Sequence, residues 1–97
     1  MEQLNFSFPA RRAISGRVHV GVVGSGDLEV LLEPSADSQA HVSVNTSVAG
    51  FATVWSNVLE RFFSRFDGAA AIEINDFGAT PGVVMLHLEQ AAEALRA

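Results

Sequence analysis

The chain is 97 residues long and 48% of its residues are hydrophobic, which fits one compact domain over residues 1–97. It has no cysteine, which excludes disulfides, a thiolate nucleophile and any cysteine-built metal centre. Eleven acidic residues against six arginines and no lysine give a net charge of −5, so neither nucleic acid nor an anionic membrane is an expected partner. With no secretory signal pattern and no apolar run of about 20 residues, a cytoplasmic protein is expected.

The first clear pattern in chain order is a β-hairpin. Residues 17–23 and 28–32 alternate apolar and polar side chains with the period of a half-buried strand. Gly24, Ser25 and Gly26 lie between the two runs, and glycine provides the positive φ that a tight turn needs. The sequence therefore predicts two antiparallel strands joined at this corner.

Further strands are predicted on both sides of the hairpin in the chain. Residues 42–46 and residues 70–76 repeat the same alternation and read as a third and a fourth strand. Residues 4–8 also place apolar side chains on one face, which favours an additional short edge strand that Pro9 ends early.

Two helices complete the prediction. Apolar residues recur at three- and four-residue intervals from about 48 to 66, with Ser47 as the predicted N-cap and Asp67-Gly68 as the end. The Trp and Phe side chains of that stripe favour core packing over a cofactor site. A second helix is predicted from about 82 to 96 after Thr80 and Pro81, although its first residues also suit a strand. The predicted fold class is α+β: a small, mainly antiparallel four-stranded sheet with an N-terminal β-hairpin and two helices packed on one face.

The sequence offers little for catalysis, and no catalytic or metal-binding residue is predicted. His19, His41 and His87 form no local metal motif and are expected to be surface or structural histidines. Ser25, His41 and Asp76 have the residue types of a hydrolase triad, but the glycines around Ser25 are too close for a G-x-S-x-G nucleophile elbow.

Ser25 is nevertheless the residue that the corner isolates. A serine with no base of its own makes a poor catalyst but a good attachment point, because another enzyme can activate it. On the residues alone, a plain turn serine is the favoured interpretation. Asp27 either bonds the turn amides, helps to position Ser25, or is solvated; together with Glu29 it is interpreted as solvated charge rather than a carboxylate pair.

Three segments then carry a family resemblance: GSGD at 24–27 between two strands, VNTSV at 44–48 leading into the aromatic-faced helix, and IEINDFGA at 72–79 entering the last helix. In this order and spacing, over about residues 14–95, the chain resembles the acyl carrier (delta) subunits of malonate decarboxylase. It is also similar, more distantly, to the carrier subunits of citrate lyase.

The resemblance implies a non-catalytic carrier subunit of a biotin-independent malonate decarboxylase. It implies that Ser25 holds a 2'-(5''-phosphoribosyl)-3'-dephospho-coenzyme A group through a phosphodiester, which carries acetyl and malonyl thioesters, with Gly24, Gly26 and Asp27 around the attachment point. The implied partners are the acyltransferase and decarboxylase subunits and a prosthetic-group transferase, with no nucleic acid, membrane or metal.

Three alternatives stay open from the sequence. They are a citrate lyase-type carrier, an α+β interaction module with unmodified Ser25, and a small hydrolase built on Ser25. Arg17 and the pair Arg11-Arg12 either contact the phosphates of the prosthetic group or a partner, or are ordinary surface charge.

Overall fold

The computed structural model describes residues 1–21 and 27–96, without the side chain of Arg96. In chain order its elements are β1 (Glu2–Pro9), β2 (Arg12–Ala13), β3 (Val18–Gly21), β4 (Leu28–Pro34), β5 (Gln39–Thr46), α1 (Ala52–Phe63), β6 (Gly68–Asp76) and α2 (Pro81–Arg96). No helix among these residues is long and apolar enough to cross a membrane.

The strands form one sheet in the order β1-β5-β6-β4-β3, and β2 pairs with the start of β6. The pairs β1/β5, β4/β6 and β3/β4 are antiparallel, whereas β5/β6 is parallel and is connected through α1. The α+β class, the mainly antiparallel sheet and the hairpin of β3 and β4 are therefore confirmed.

The predicted number of strands is wrong, because the described residues form six strands rather than four. β1 is a full edge strand of eight residues, and Pro9 is tolerated because it lies at the end of an edge strand. β2 has two residues, which is too short for an alternating pattern to reveal.

Both helices cover the same face of the sheet, because side chains from both join one buried cluster with alternate residues of the strands. Trp55, Leu59 and Leu88 meet the strand residues of that cluster from the helices. The strand residues are alternate ones: Leu28, Val30 and Leu32 of β4, Val42 and Val44 of β5, and Ala70, Ile72 and Ile74 of β6. Burying one large aliphatic side chain is worth about 1.5–3 kcal/mol, so this layer is the main source of stability. The other face of the sheet carries no helix among the described residues.

The predicted start of α1 is wrong. The helix begins at Ala52 rather than at 48, and Phe51 occupies the N-cap position without a side-chain hydrogen bond. Ser47 cannot cap it, because the Ser47 amide donates to the Asp76 carbonyl oxygen (3.0 Å) and the chain then turns through Gly50 at a φ of 92°. The helix ends at Phe63, three residues earlier than predicted, although Phe66 N still donates to Phe62 O.

The prediction for α2 is confirmed as a helix. Pro81 is its first residue, and Thr80 caps it: the Thr80 hydroxyl oxygen accepts a hydrogen bond from Val83 N (3.3 Å) and the Thr80 carbonyl oxygen accepts one from Val84 N (3.0 Å).

Candidate functional site

Three connections of the chain meet at one edge of the sheet. Asp76, the last residue of β6, is opposite Leu28 at the start of β4 and Thr46 at the end of β5. We call this region the loop edge and define it as Asp27, residues 47–51 and residues 77–80. Gly21, the last residue of β3, pairs with Glu29 one position further in.

The predicted attachment residues Gly24, Ser25 and Gly26 lie outside the described residues, so their role stays a prediction. The residues that bound this segment are described. Gly21 ends β3 on one side, and Asp27 precedes β4 on the other.

Asp27 is fixed through its backbone and its side chain. Its carbonyl oxygen accepts a hydrogen bond from Phe77 N (2.8 Å), which joins it to the connection after β6. Its Oδ1 accepts a hydrogen bond from Leu28 N (2.8 Å) and lies 3.5 Å from His87 Nε2. The Asp27 side chain is 37% exposed, so solvent reaches it although it is also bonded to the chain.

Asp76 fastens the other two connections to each other. Its side chain is buried, accepts a hydrogen bond from the Thr46 hydroxyl (2.8 Å) on Oδ2 and one from Ala79 N (2.9 Å) on Oδ1. The Thr46 oxygen in turn accepts a hydrogen bond from Val48 N (3.1 Å). A buried carboxylate needs such donors, because without them its desolvation is very costly. Sequence reasoning considered Asp76 only as a triad member and missed this role; an Asp between a strand and a Gly-containing turn was the available signal.

His87 of α2 contacts Gly21 and Asp27, the residues on either side of the segment that contains the predicted attachment residues. Gly21 has a φ of 89°, and a Cβ built there would collide with the Leu28 carbonyl oxygen and lie 2.7 Å from His87 Cδ2. The ring therefore packs where only glycine leaves space. The sequence predicted a surface or structural role for His87 and gave no sign of these two contacts.

The uncovered face of the sheet carries a polar network that joins four strands. Asn45 Nδ2 donates to Asn75 Oδ1 (3.0 Å), Asn75 Nδ2 donates to Glu29 Oε1 (2.8 Å), and Glu29 Oε2 lies 3.1 Å from His19 Nε2. The interpretation of Glu29 as solvated charge is therefore wrong, because its side chain is only 17% exposed and has two partners. The interpretation failed because the partners of Glu29 lie on neighbouring strands, and no local sequence pattern shows cross-strand neighbours.

His41 and Asp76, the described members of the hydrolase triad considered from the sequence, do not come together. His41 Nε2 donates to Asp37 Oδ2 (2.8 Å), and His41 Nδ1 lies 3.1 Å from Ser7 Oγ. His41 is opposite Ala71 in the register, five residues before the buried Asp76, and points to the other face of the sheet. A hydrogen bond from the Gln39 amide, followed by those from His41 and Ser35, lowers the pKa of Asp37.

The arginines of the described residues lie away from the loop edge. Arg12 pairs with Asp67 and lies over the Phe66 ring at the start of β6, and Arg17 Nε lies 3.3 Å from Glu33. Arg61 and Arg65 lie in the last turn of α1 and just after it. Among Arg11, Arg12 and Arg17, surface charge is therefore the interpretation that the geometry favours. No group of three or more His, Asp or Glu in the described part of the chain is placed to hold a metal ion.

These features define the class of the protein, a small two-layer α+β domain that presents connecting loops from one edge of its sheet. Comparison with known proteins then gives the family. The sequence model of the family described as "Malonate decarboxylase delta subunit (MdcD)", an acyl carrier protein family, matches residues 15–95. The chain belongs to this family, and the resemblance inferred from the three segments is confirmed.

Individual relatives agree over nearly the whole chain. The malonate decarboxylase acyl carrier protein of Pseudomonas savastanoi pv. phaseolicola is 52% identical over 96 residues, which are 98% of this chain and 97% of that protein. The protein of the same name from Pseudomonas paraeruginosa is 54% identical over 94 residues, 96% of this chain and 95% of that protein. A chain in the crystal structure of a Pseudomonas malonate decarboxylase hetero-tetramer in complex with malonate matches with a TM-score of 0.93 and 52% identity, covering 98% of this chain and 99% of that one.

Proposed function

We propose that this chain is the acyl carrier subunit of a biotin-independent malonate decarboxylase, with acyl groups carried on a phosphoribosyl-dephospho-coenzyme A group attached to Ser25. The observation that carries the proposal is the family match over residues 15–95, which includes the whole GSGD corner. Acyl transfer and decarboxylation belong to partner subunits, and the chain itself performs neither.

The chemistry of the chain supports a borrowed thiol. The sequence has no cysteine, and the attached group supplies a terminal thiol on which an acyl group is held as a thioester. Ser25 provides a hydroxyl for the phosphodiester, and the glycines on both sides give a transferase close access to the backbone. The activation of that hydroxyl is left to the transferase.

The loop edge also supports a tethered, swinging group. Arg12 is paired with Asp67 and Arg17 with Glu33, away from this edge, so neither is placed to hold the phosphates of the group there. Asp27, which bounds the segment, carries a carboxylate and repels phosphate. The covalent bond to Ser25 is then the attachment, and the rest of the group is free to reach partner active sites.

The partners proposed for the chain are the acyltransferase and decarboxylase subunits, together with the transferase that attaches the group. The support is the fold and 52% identity shared with a chain of the Pseudomonas malonate decarboxylase hetero-tetramer. A cytoplasmic location is proposed from the composition alone.

The first test is the intact mass of the protein purified from its native cells, with fragmentation to place any added mass. We expect an increment equal to the phosphoribosyl-dephospho-coenzyme A group on the peptide that contains Ser25. An unmodified mass in cells that express the partner subunits would favour the interaction-module alternative.

The second test is decarboxylation of malonate by the assembled complex with a Ser25→Ala carrier. We expect the variant to fold and assemble but to support no turnover. Ser47→Ala is the matched control, because Ser47 is an exposed serine at the same edge whose described role is through its backbone amide. Normal turnover with Ser25→Ala would contradict the proposal.

A further inference from the structure

His87 lies against both ends of the segment that contains Ser25. Its Nε2 is 3.5 Å from Asp27 Oδ1, and its ring occupies the space beside Gly21, within 3.0 Å of where a Cβ would be. The side chain is only 14% exposed. One ring therefore contacts the residue before residues 22–26 and the residue after them.

The helix holds this ring in a fixed orientation. His87 Nδ1 lies 3.0 Å from the carbonyl oxygen of Val83, one turn earlier in α2. A carbonyl only accepts, so Nδ1 carries the hydrogen. The neighbouring residues Val84 and Leu88 are buried in the core, which fixes the rotation of the helix about its axis.

The contact with Asp27 therefore depends on charge. With the hydrogen of the neutral ring on Nδ1, Nε2 presents a lone pair to the Asp27 carboxylate, which is unfavourable. An attractive contact at Nε2 needs a second hydrogen, which makes the ring an imidazolium cation and the contact an ion pair.

We propose that His87 is a positioning residue for the attachment site. It holds Gly21 and Asp27 against α2 and so fixes the two points from which residues 22–26 depart. The role of Ser25 in this inference rests on the proposed function; the holding of the two ends does not. The consequence is that the transferase meets its serine between two fixed ends.

A purely structural role predicts something different. If His87 only fills space in the core, a ring of similar size without nitrogen atoms should replace it with no effect at the loop. If it positions the loop, that ring should release Asp27, and a side chain that donates a hydrogen bond at the same place should restore the contact. His87→Phe and His87→Gln are these two variants.

The first measurement is hydrogen exchange of the Leu28 backbone amide, which donates to Asp27 Oδ1. We expect exchange in His87→Phe to be about tenfold faster than in the wild type, and in His87→Gln to be close to it. His19→Phe is the matched control, since His19 also faces a carboxylate, at 3.1 Å, but on the uncovered face of the sheet. Unchanged Leu28 exchange in His87→Phe, with the variant folded, would overturn the proposal.

The second measurement is the rate of mass labelling of Ser25 by the transferase. We expect His87→Phe to raise the apparent KM for the carrier about five- to tenfold with a smaller change in kcat, because the serine is less well presented. His87→Gln should recover most of this loss, which a change in core packing alone would not do. Faster Leu28 exchange with unchanged labelling would overturn the positioning role.

The two experiments also separate this inference from the proposed function. If wild-type Ser25 is never labelled, the proposed function fails, whereas the exchange result still decides whether His87 holds the two ends. Should His87→Phe not fold, His87→Leu removes the same ring nitrogen while leaving Asp27 in place, and it is expected to speed Leu28 exchange, with no change as the contradicting result.

Discussion

Asp76→Ala tests whether the loop edge is held by one buried carboxylate. The substitution removes the acceptor of the Ala79 amide and the nearer acceptor of the Thr46 hydroxyl, which then has only the Val48 carbonyl oxygen, at 3.3 Å. Thr46 is 1% exposed, so water does not replace the lost bond, and a buried polar group that loses its partner costs up to about 1–3 kcal/mol. Ala79 is only half-buried, so its amide regains part of its loss from water. We expect the free energy of unfolding to fall by about 2–4 kcal/mol.

Urea unfolding followed by Trp55 fluorescence measures this change, because Trp55 is the single tryptophan and is 6% exposed. With a urea m-value of about 1–3 kcal/mol/M, the midpoint should fall by roughly 0.7–4 M. Asp67→Ala is the control: Asp67 pairs with Arg12 at the opposite end, and with both side chains about half exposed we expect a change below about 1 kcal/mol.

A loss of stability in Asp76→Ala no larger than that in Asp67→Ala would show that the Asp76 carboxylate does not hold the loop edge. Thr46→Val gives a second check, because it removes the hydroxyl and keeps the shape of the side chain. Since Thr46 and Asp76 share a hydrogen bond, the double variant should lose less free energy of unfolding than the sum of the two single variants. Strict additivity would show that the two side chains act separately.

Two further predictions concern other parts of the fold. Gly21→Ala should lower the free energy of unfolding by at least about 1 kcal/mol more than Gly16→Ala does. Both glycines have a positive φ, but of the two only Gly21 has other atoms where a Cβ would be. Equal losses in urea unfolding would refute this. The pKa of Asp37 is lower in the folded protein than its usual value of 3.8, so its carboxylate adds stability above pH 3.8 that is lost as the pH falls through the folded pKa. NMR titration of His41→Ala should show the pKa of Asp37 moving upward without reaching 3.8, because the hydrogen bond from the Gln39 amide remains. A pKa unmoved by His41→Ala would contradict it.

The strands and the second helix were predictable because their signals are local. Alternation of apolar residues identified β3 to β6, and Thr80 with Pro81 identified the start of α2, where the cap is a hydrogen bond within four residues. The N-terminal strand β1 was visible from the same alternation, and its place at the edge explains why Pro9 did not exclude it.

The start of α1 could not be predicted, because a distant residue decides it. Ser47 and Thr46 are bonded to Asp76, thirty positions along the chain from Thr46, and those bonds keep the chain out of helical conformation before Ala52. Local propensity gives way to tertiary contacts here. The same applies to Glu29, whose partners lie on neighbouring strands.

Part of the candidate site could also be predicted from the sequence, and part could not. The GSGD corner identified Ser25 as a candidate, since glycine and serine at a turn are a local signal. The contact of His87 with Asp27 could not be predicted, because His87 is sixty residues further along the sequence and reaches Asp27 only after α2 has packed on the sheet.

The order of the strands explains why these supports converge. β5 and β6 are parallel, so the connections that follow them leave from one edge, and the antiparallel β4 begins at that edge. One carboxylate, Asp76, can then bind two of the connections, while Phe77 N binds the third through the Asp27 carbonyl oxygen. The arginine pairs with Asp67 and Glu33 lie elsewhere. The paired strands and their hydrogen bonds therefore fix Gly21 and Asp27, the residues on either side of the predicted attachment residues.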